Sequence, residues 1–446
     1  MSIQVDQKEN KVWSGIRKIS FRFFFVYFTL MLLPFNVGFW RLIFQLKWND
    51  IHWVPCFYLV RYTPGFSSYA NIFSFPDLLI VVVIAAVGVA VWTIRDKPAR
   101  SYYTLNYWLG IVVRFRLFVA MLAYASIKIY PVLSPFPELS LMNTEFSEVT
   151  AWRIFTLSIG IAPGYQFFIA AVEMVAIILL LSRKTAAIGA FIIICDLSNV
   201  FVAQVLYGGG EAAYVLYLLS AAFFIFSQDA YRLLRIVILE KPAEPDRFRP
   251  AWPEKWAGLK PTAKLFAVGM IFIFLYLAFQ ASQSRIKYPS QPALAGSPGL
   301  YKVERFFING QERPFAYEDS LRWVNVVFEK WATISVRDGR RIIVDTSNTE
   351  EYYYADINRR YELSGAGGRH YYAYETDTVQ KKLVLRNKNK SHKDDSLILH
   401  YKQPDDKTII LWGINKQADS IHAQLKKIDK IYLLNESFEH AKQKTY

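Results

Sequence analysis

Seven apolar segments constrain the fold of this chain more than any other feature of its sequence. They cover approximately residues 20–41, 76–94, 107–130, 165–182, 185–207, 212–230 and 264–282. An α-helix needs about 20 residues to cross the hydrocarbon core of a bilayer, so each segment is long enough to span a membrane once. Because 53% of the chain is hydrophobic, the sequence predicts an α-helical multi-span membrane bundle. In the first span we expect a kink near Pro34.

The basic residues predict the orientation of this bundle. Lys and Arg are concentrated in the N-terminal segment, around Arg95, in residues 182–185 and in residues 232–264, whereas the opposite connections carry few. Cytoplasmic loops carry an excess of Lys and Arg, so we expect a cytoplasmic N-terminus in the inner (plasma) membrane. Seven spans then place the C-terminus outside. Most of the net charge of +15 lies in these loops, and nucleic acid is not an expected partner.

The composition changes after the last span. Residues 282–299 are rich in Pro, Ser and Gly, and the chain beyond Leu300 contains short runs in which apolar and polar residues alternate. Alternation with period two between turn signals is typical of antiparallel strands. We therefore predict that residues 299–446 form an extracytoplasmic all-β barrel or sandwich. Its five histidines are far apart in the sequence and show no zinc-site spacing, so no metal site is predicted.

The third span carries three cations, Arg114, Arg116 and Lys128. At about 100° per residue, Lys128 lies roughly 40° from Arg114, while Arg116 points almost the opposite way. Lys128 is near the outer end of the span, where we expect its side chain to reach the interface. An unpaired cation at the centre of a lipid-facing helix costs at least about 2.5 to 3.5 kcal/mol, so the arginines need partners. Glu173 and Asp196 fall near mid-span and are the predicted counter-charges.

Two interpretations of this polar group stay open. The residues are Arg114, Arg116, Lys128, Glu173, Asp196, Asn199 and Tyr207. They either lock the helices together as buried ion pairs, or line a polar pocket inside the bundle, because ionisable groups within a membrane usually have a function. No catalytic residue is assigned. No histidine lies in a predicted span and Cys56 is far from Cys195, so a bis-histidine haem in the bundle and an iron–sulfur cluster are excluded.

Part of the bundle resembles a known family. The run "RFRLFVAMLAYASIKIYP" and the later run "GYQFFIAAVEMVAIILLLSRKTAAIGAFIIICDLSNVFVAQVLY" are similar to the DoxX-like integral membrane family, in its long form with extra spans and an outer β-domain that is typical of Bacteroidetes. The resemblance covers roughly residues 105–238. It rests on the arginine of the first core helix, Lys128 before Pro131, Glu173 before "SRKT", and Asn199 with Tyr207. It implies a four-helix core, and some members are subunits of a thiosulfate:quinone oxidoreductase.

These observations divide the chain into four regions. Residues 1–104 form N-terminal spans and an outer loop, 105–238 the DoxX-like core, 239–298 a cytoplasmic loop, the last span and a linker, and 299–446 the β-domain. One hypothesis is a quinone-linked membrane oxidoreductase subunit that binds a quinone or another amphipathic small molecule in the polar pocket. The alternative is a non-catalytic envelope component that binds a membrane lipid or, through the β-domain, a protein partner. No cofactor other than a quinone is suggested.

Overall fold

The computed structural model describes residues 13–46, 51–66, 73–96, 101–243, 248, 250, 259–283, 291–316, 319–339, 368–388, 392 and 394–434. The chain divides into two compact units. The membrane unit comprises residues 1–132, 166–206 and 210–281, and the barrel unit comprises residues 133–165, 207–209 and 282–446.

Long apolar helices build the membrane unit. The helices are α1 (Gly15–Leu32), α2 (Val37–Gln45), α3 (Trp53–Val60), α4 (Phe75–Arg95), α5 (Tyr103–Ile129), α8 (Pro163–Leu180), α9 (Ala186–Leu206), α10 (Ala212–Val237) and α11 (Leu259–Gln283). Among the described residues, seven segments are long and apolar enough to cross a membrane, with α1 and α2 counted as one. The predicted multi-span bundle is thus confirmed, and the chain is a multi-pass membrane protein.

The helix ends follow local sequence signals. The first span is interrupted near Pro34 as predicted, because proline lacks the N–H that a continuing helix needs. Helix α2 restarts at Asn36, whose side-chain oxygen accepts the N–H of Gly38 at 2.7 Å. Helix α4 begins with a capping box in which Ser74 and Asp77 satisfy each other's backbone N–H groups.

Helix α3 lies between the first two spans and is too short to cross a bilayer, since eight residues cover only about 12 Å. Its Trp53 and Phe57 side chains are each only 1% exposed. The Phe57 ring lies against Tyr124 of α5, with ring centroids 5.2 Å apart. The sequence predicts an outer loop for this stretch, whereas the structure packs it into the bundle. The following residues, Arg61 and Tyr62, therefore reach the interior of the membrane unit.

The barrel unit contains a closed antiparallel β-barrel, as the sequence predicts. Its strands are β1 (Gly299–Ile308), β2 (Gln311–Glu312), β3 (Asn325–Phe328), β4 (Thr333–Arg337), β5 (His370–Asp377), β6 (Lys382–Asn387), β7 (Ser396–Asp405), β8 (Thr408–Asn415) and β9 (Ser420–Ile428). Strand β1 pairs with both β3 and β9, which closes a ring of eight strands, and the short β2 extends β1 as a hairpin. Asn309 and Gly310 both have positive φ angles in that hairpin, as such a tight turn requires.

Side chains fill the inside of the barrel. Alternate residues of each strand point inward, and their apolar groups form one buried cluster that includes Phe306, Phe328, Tyr374, Leu385 and Leu411. An eight-stranded barrel is just wide enough for side chains to fill it. The barrel interior is therefore a packed core.

Two further segments of the chain belong to the barrel unit. Residues 133–165 contain the short helices α6 (Leu139–Met142) and α7 (Ala151–Gly160), and residues 207–209 join α9 to α10. These segments follow the third and fifth spans, and the barrel follows the seventh. In a seven-span chain, all three regions are expected on the same side of the membrane.

Candidate functional sites in the membrane unit

The carboxylate site consists of Lys128 on α5, Glu173 on α8 and Asp196 on α9. The Lys128 ammonium donates a hydrogen bond to Glu173 Oε1, and the two side chains are 15% and 1% exposed. Asp196 lies close enough to interact electrostatically with both, and its carboxylate approaches that of Glu173. The structure thus brings together three of the predicted site residues.

The structure corrects two predictions about this site. Lys128 was expected to reach the outer interface, and Glu173 was expected to balance an arginine. Side chains on a helix lean toward the helix N-terminus. Because Lys128 is the next-to-last residue of α5, its side chain leans back along its own helix and meets Glu173.

A close contact between α8 and α9 holds the two carboxylates on neighbouring helices. A Cβ atom at Gly189 would lie 2.7 Å from the carbonyl oxygen of Ala176. Only glycine permits this approach, as is common where helices pack in membranes. Thr185, in the short connection, also bonds the carbonyl of Leu179 at 2.7 Å. The separation of Glu173 and Asp196 is therefore set by backbone packing.

Two oxygens of the carboxylate site are left over. Glu173 Oε2 and Asp196 Oδ2 are buried and make no hydrogen bond with any residue that the structure describes. With both acids ionised, two carboxylates beside one ammonium leave a net charge of −1. Like charges at short range in a low-dielectric site are unfavourable. The site can therefore take up a proton or a hydrogen-bond donor from a ligand.

A second polar group, the arginine–tyrosine cluster, consists of Arg61, Tyr62, Arg116, Tyr124, Glu211, Tyr214 and Tyr217. In its first half Arg61 Nη1 lies 2.7 Å from Glu211 Oε1, and the Tyr124 hydroxyl donates to Glu211 Oε2 at 2.9 Å. The guanidinium carbon of Arg61 also lies 5.5 Å from the centre of the Tyr214 ring. One cation and one phenol thus satisfy both oxygens of the Glu211 carboxylate.

Arg116 occupies the other half of the cluster, and no carboxylate of the described residues pairs with it. Its side chain donates from Nη2 to the carbonyl oxygen of Tyr62 at 2.9 Å. The rings of Tyr62 and Tyr217 lie 4.7 and 5.8 Å from its guanidinium carbon. The prediction that Glu173 or Asp196 balances Arg116 is therefore wrong. Positions 116 and 128 differ by about 120° around α5, so the two cations face different neighbours.

The remaining predicted residues lie elsewhere. Arg114 is half-buried and has Tyr107 and Arg183 as its electrostatic neighbours. Asn199 is exposed on α9. Tyr207 belongs to the barrel unit, where its ring lies 5.1 Å from that of Phe155. The single polar cluster predicted from the sequence is therefore divided into separate sites.

Sequence reasoning missed the residues that complete the arginine–tyrosine cluster. Arg61, Tyr62 and Glu211 lie in connections between spans, and hydropathy marks only the spans themselves. The usable signal was the short apolar helix α3 directly before Arg61. In the barrel, His370 and His392 are also closer than expected, with ring centroids 5.2 Å apart. Among the described residues, no group of three His, Cys, Asp or Glu side chains is placed to hold a metal ion.

Comparison with family models, with curated proteins and with solved structures gives no match for this chain. The resemblance of residues 105–238 to the DoxX-like family therefore stays a prediction.

Proposed function

We propose that the protein is a DoxX-like component of the inner (plasma) membrane whose carboxylate site binds an amphipathic small molecule and exchanges protons with it. A quinone is the first candidate. The observation that carries this proposal is the pair of buried oxygens, Glu173 Oε2 and Asp196 Oδ2, without hydrogen-bond partners among the described residues and beside a single ammonium group. Ionisable groups inside a membrane protein are functional by default.

The chemistry of quinone reduction fits these groups. Reduction of a quinone to a quinol consumes two electrons and two protons. The Lys128 ammonium has three N–H donors, and a donor left free by Glu173 suits a quinone carbonyl. The carboxylates of Glu173 and Asp196 suit the delivery or acceptance of protons. A partner redox protein supplies or takes the electrons, and the protein acts as the quinone-binding subunit.

The proposed orientation has a cytoplasmic N-terminus and an extracytoplasmic barrel. The excess of Lys and Arg in one set of connections supports it. Further support comes from the barrel unit, which gathers the three regions that follow the third, fifth and seventh spans. These are the regions that this topology places outside.

Quinone that co-purifies with the protein tests the proposal. The full chain in lipid nanodiscs is extracted with organic solvent, and the quinone is quantified by mass spectrometry. We expect bound quinone in the wild type and at least a tenfold loss in Glu173→Gln. Glu211→Gln is the matched control, because it neutralises a buried carboxylate whose two oxygens already have partners. Equal quinone in all three proteins, or none in the wild type, contradicts the proposal.

An alternative function follows from the outer face of the barrel. The register places His400, Trp412, His422 and Phe307 in one row across β7, β8, β9 and β1. His400 stacks on Trp412, which is 39% exposed, and His422 contacts the edge of Phe307. Exposed aromatic groups are typical of protein interfaces. We propose, as the alternative, a non-catalytic envelope component that binds a protein partner through this row.

Photo-cross-linking in intact cells tests the alternative. A cross-linking residue at Trp412 is expected to capture one discrete protein. The same residue at Val379, an exposed apolar position in a turn, serves as the control and is expected to capture none. Equal labelling from both positions, or none from either, contradicts a partner on this row. Neither result depends on the quinone measurement, so the two functions are tested separately.

A further inference from the structure

We infer that the arginine–tyrosine cluster contains a binding site for a small monovalent anion, between the guanidinium group of Arg116 and the hydroxyl group of Tyr214. This inference is independent of the carboxylate site and of its proposed ligand. It rests on two observations about this part of the bundle. Hydrogen-bond donors outnumber acceptors, and positive charge exceeds negative charge.

The donors at Arg116 outnumber their acceptors. Arg116 is only 5% exposed, and its Nε and Nη1 groups make no hydrogen bond with the described residues. The Tyr214 hydroxyl, on a side chain that is 1% exposed, makes none either. The guanidinium and the hydroxyl group lie within reach of a long side-chain hydrogen bond, but no hydrogen bond of ordinary length and angle joins them. Buried polar groups nearly always have a partner, so an acceptor is expected here.

A structural role for Arg116 accounts for only one of its donors. Its Nη2 group satisfies the carbonyl of Tyr62, just after α3 ends. A backbone carbonyl that leaves a helix inside a membrane protein needs such a donor. The faces of the Tyr62 and Tyr217 rings stabilise the charge further. The Nε and Nη1 groups keep their hydrogen-bonding capacity beside these contacts, because neither makes a hydrogen bond of ordinary geometry with the described residues.

The half of the cluster around Arg61 shows how an arginine and a tyrosine can together bind one anionic group. There an arginine, Arg61, and a tyrosine, Tyr124, each bond one oxygen of the Glu211 carboxylate. Arg116 and Tyr214 present the same two kinds of donor, but no carboxylate of the described chain accepts from them. An anion from outside the chain would take the place that Glu211 takes beside Arg61.

The charge balance selects a monovalent anion. Arg61 and Glu211 neutralise each other, which leaves the single positive charge of Arg116. A monovalent anion balances it, whereas a dianion would leave an uncompensated negative charge in a low-dielectric site. The buried position also favours weakly hydrated anions, because they lose less free energy on leaving water. Bromide and nitrate are suitable probes.

Anion-dependent thermal stability tests this inference. The full chain in phosphatidylcholine nanodiscs is titrated with sodium bromide at constant ionic strength, with sodium gluconate as the replacement salt. A ligand that binds only the folded state raises the unfolding temperature in a saturable way. We expect this rise in the wild type and its loss in Arg116→Leu. The matched control is Arg114→Leu, because Arg114 lies on the same helix among other neighbours, and we expect it to keep the rise.

A milder variant keeps the test decisive if Arg116→Leu does not fold. Tyr214→Phe removes only the hydroxyl group, which has no hydrogen-bond partner among the described residues. We expect an unchanged fold and bromide binding that is about three- to tenfold weaker, as for the loss of one hydrogen bond. The inference is overturned if wild type shows no saturable response, or if Tyr214→Phe and the wild type bind bromide equally.

The lipid phosphodiester is also a monovalent anion, and a second lipid composition separates it from a soluble ion. The bromide titration is repeated in nanodiscs that contain phosphatidylglycerol. An unchanged response supports a small soluble anion. A response lost in these nanodiscs overturns that assignment, because the headgroup of the lipid then occupies the site.

Discussion

The barrel unit and the membrane unit each bury an arginine, and the two arginines differ in how many partners they have. Arg369 in the barrel unit is 0% exposed. Its Nε donates to Ser335 Oγ at 2.8 Å, its Nη1 to Asn325 Oδ1 at 2.7 Å and its Nη2 to the carbonyl oxygen of Ser335 at 3.1 Å. Arg116 in the membrane unit uses only one of its three nitrogens, Nη2, in a hydrogen bond of ordinary geometry with the described residues.

Glu329 in the barrel unit differs in the same way from Glu173 and Asp196 in the membrane unit. Both oxygens of Glu329 accept backbone N–H groups, from Ser140 at 2.6 Å and from Leu139 at 3.2 Å. Glu173 and Asp196 each keep one oxygen without a partner among the described residues. A polar network in which every group has a hydrogen-bond partner stabilises a single conformation. Buried groups with unused hydrogen-bond donors or acceptors are suited to bind a ligand. The comparison indicates a structural role for Arg369 and Glu329, and it supports the binding roles that we propose for Arg116, Glu173 and Asp196.

Removal of Arg369 should have the largest effect on stability. In Arg369→Leu the acceptors on Ser335 and Asn325 lose their donor inside a packed interior, and we expect a loss of about 3 to 5 kcal/mol. Hydrogen exchange of β4 and β5 peptides in the full chain measures it.

Arg386→Leu is the control for this change, because Arg386 is exposed and lies 3.8 Å from the equally exposed Glu375. Exposed pairs contribute little, so we expect a loss below about 0.5 kcal/mol. Similar losses in the two variants would contradict a structural role for the Arg369 network.

The pH dependence of the barrel unit should be the next largest effect. Burial, together with the neighbouring Glu138, raises the pKa of Glu329 to about 7 from an ordinary value of 4.5. The folded state therefore takes up a proton at a higher pH than the unfolded chain does. The stabilisation from this proton is complete below about pH 4.5 and is lost as the pH rises through 7, with an amplitude of about 3 kcal/mol at most.

Hydrogen exchange of the same unit at pH 5 and pH 8, corrected for the intrinsic exchange rate, measures this slope. We expect Glu329→Gln to flatten it. Glu304→Gln removes a partly exposed carboxylate from the same barrel and should leave the slope unchanged. An equal slope in Glu329→Gln and in the wild type would show that another group is responsible.

The overall architecture could be predicted from the sequence because its signals are local. The length of each apolar segment gave the spans, and alternation with period two gave the strands of the barrel. Glu173, Asp196 and Lys128 can also be recognised singly, because each is an ionisable residue within an apolar segment. Each of these inferences needs only the residues within one element.

The pairing of charges could not be predicted, because it depends on how neighbouring helices are rotated and on which loops enter the bundle. The sequence predicts a carboxylate beside Arg116, but its hydrogen-bond partner is Tyr62, just after α3, a helix that hydropathy does not identify as part of the bundle. The height of Lys128 along α5 predicts a side chain at the interface, but this side chain leans back toward the helix N-terminus and meets Glu173.

The smallest expected change in stability gives the most sensitive test of the difference between the carboxylates of the two units. Asp196→Asn removes one negative charge beside Glu173 and leaves a balanced pair of Glu173 with Lys128. We therefore expect a change in stability within about 1 kcal/mol, toward greater stability. The thermal unfolding of the full chain in nanodiscs measures it.

The same substitution in the barrel unit supplies the matched control. Asp395 Oδ2 accepts hydrogen bonds from the Tyr372 hydroxyl at 2.6 Å and from Asn387 at 3.1 Å. Asp395→Asn replaces the charged acceptor of both hydrogen bonds with a neutral amide oxygen, and we expect it to cost about 1 to 3 kcal/mol by hydrogen exchange. If Asp196→Asn costs as much as Asp395→Asn, the Asp196 carboxylate stabilises the bundle as Asp395 stabilises the barrel. The contrast between structural carboxylates in the barrel and binding carboxylates in the bundle would then be wrong. Asp196 tests it most directly, because the Lys128–Glu173 pair does not need Asp196 for charge balance.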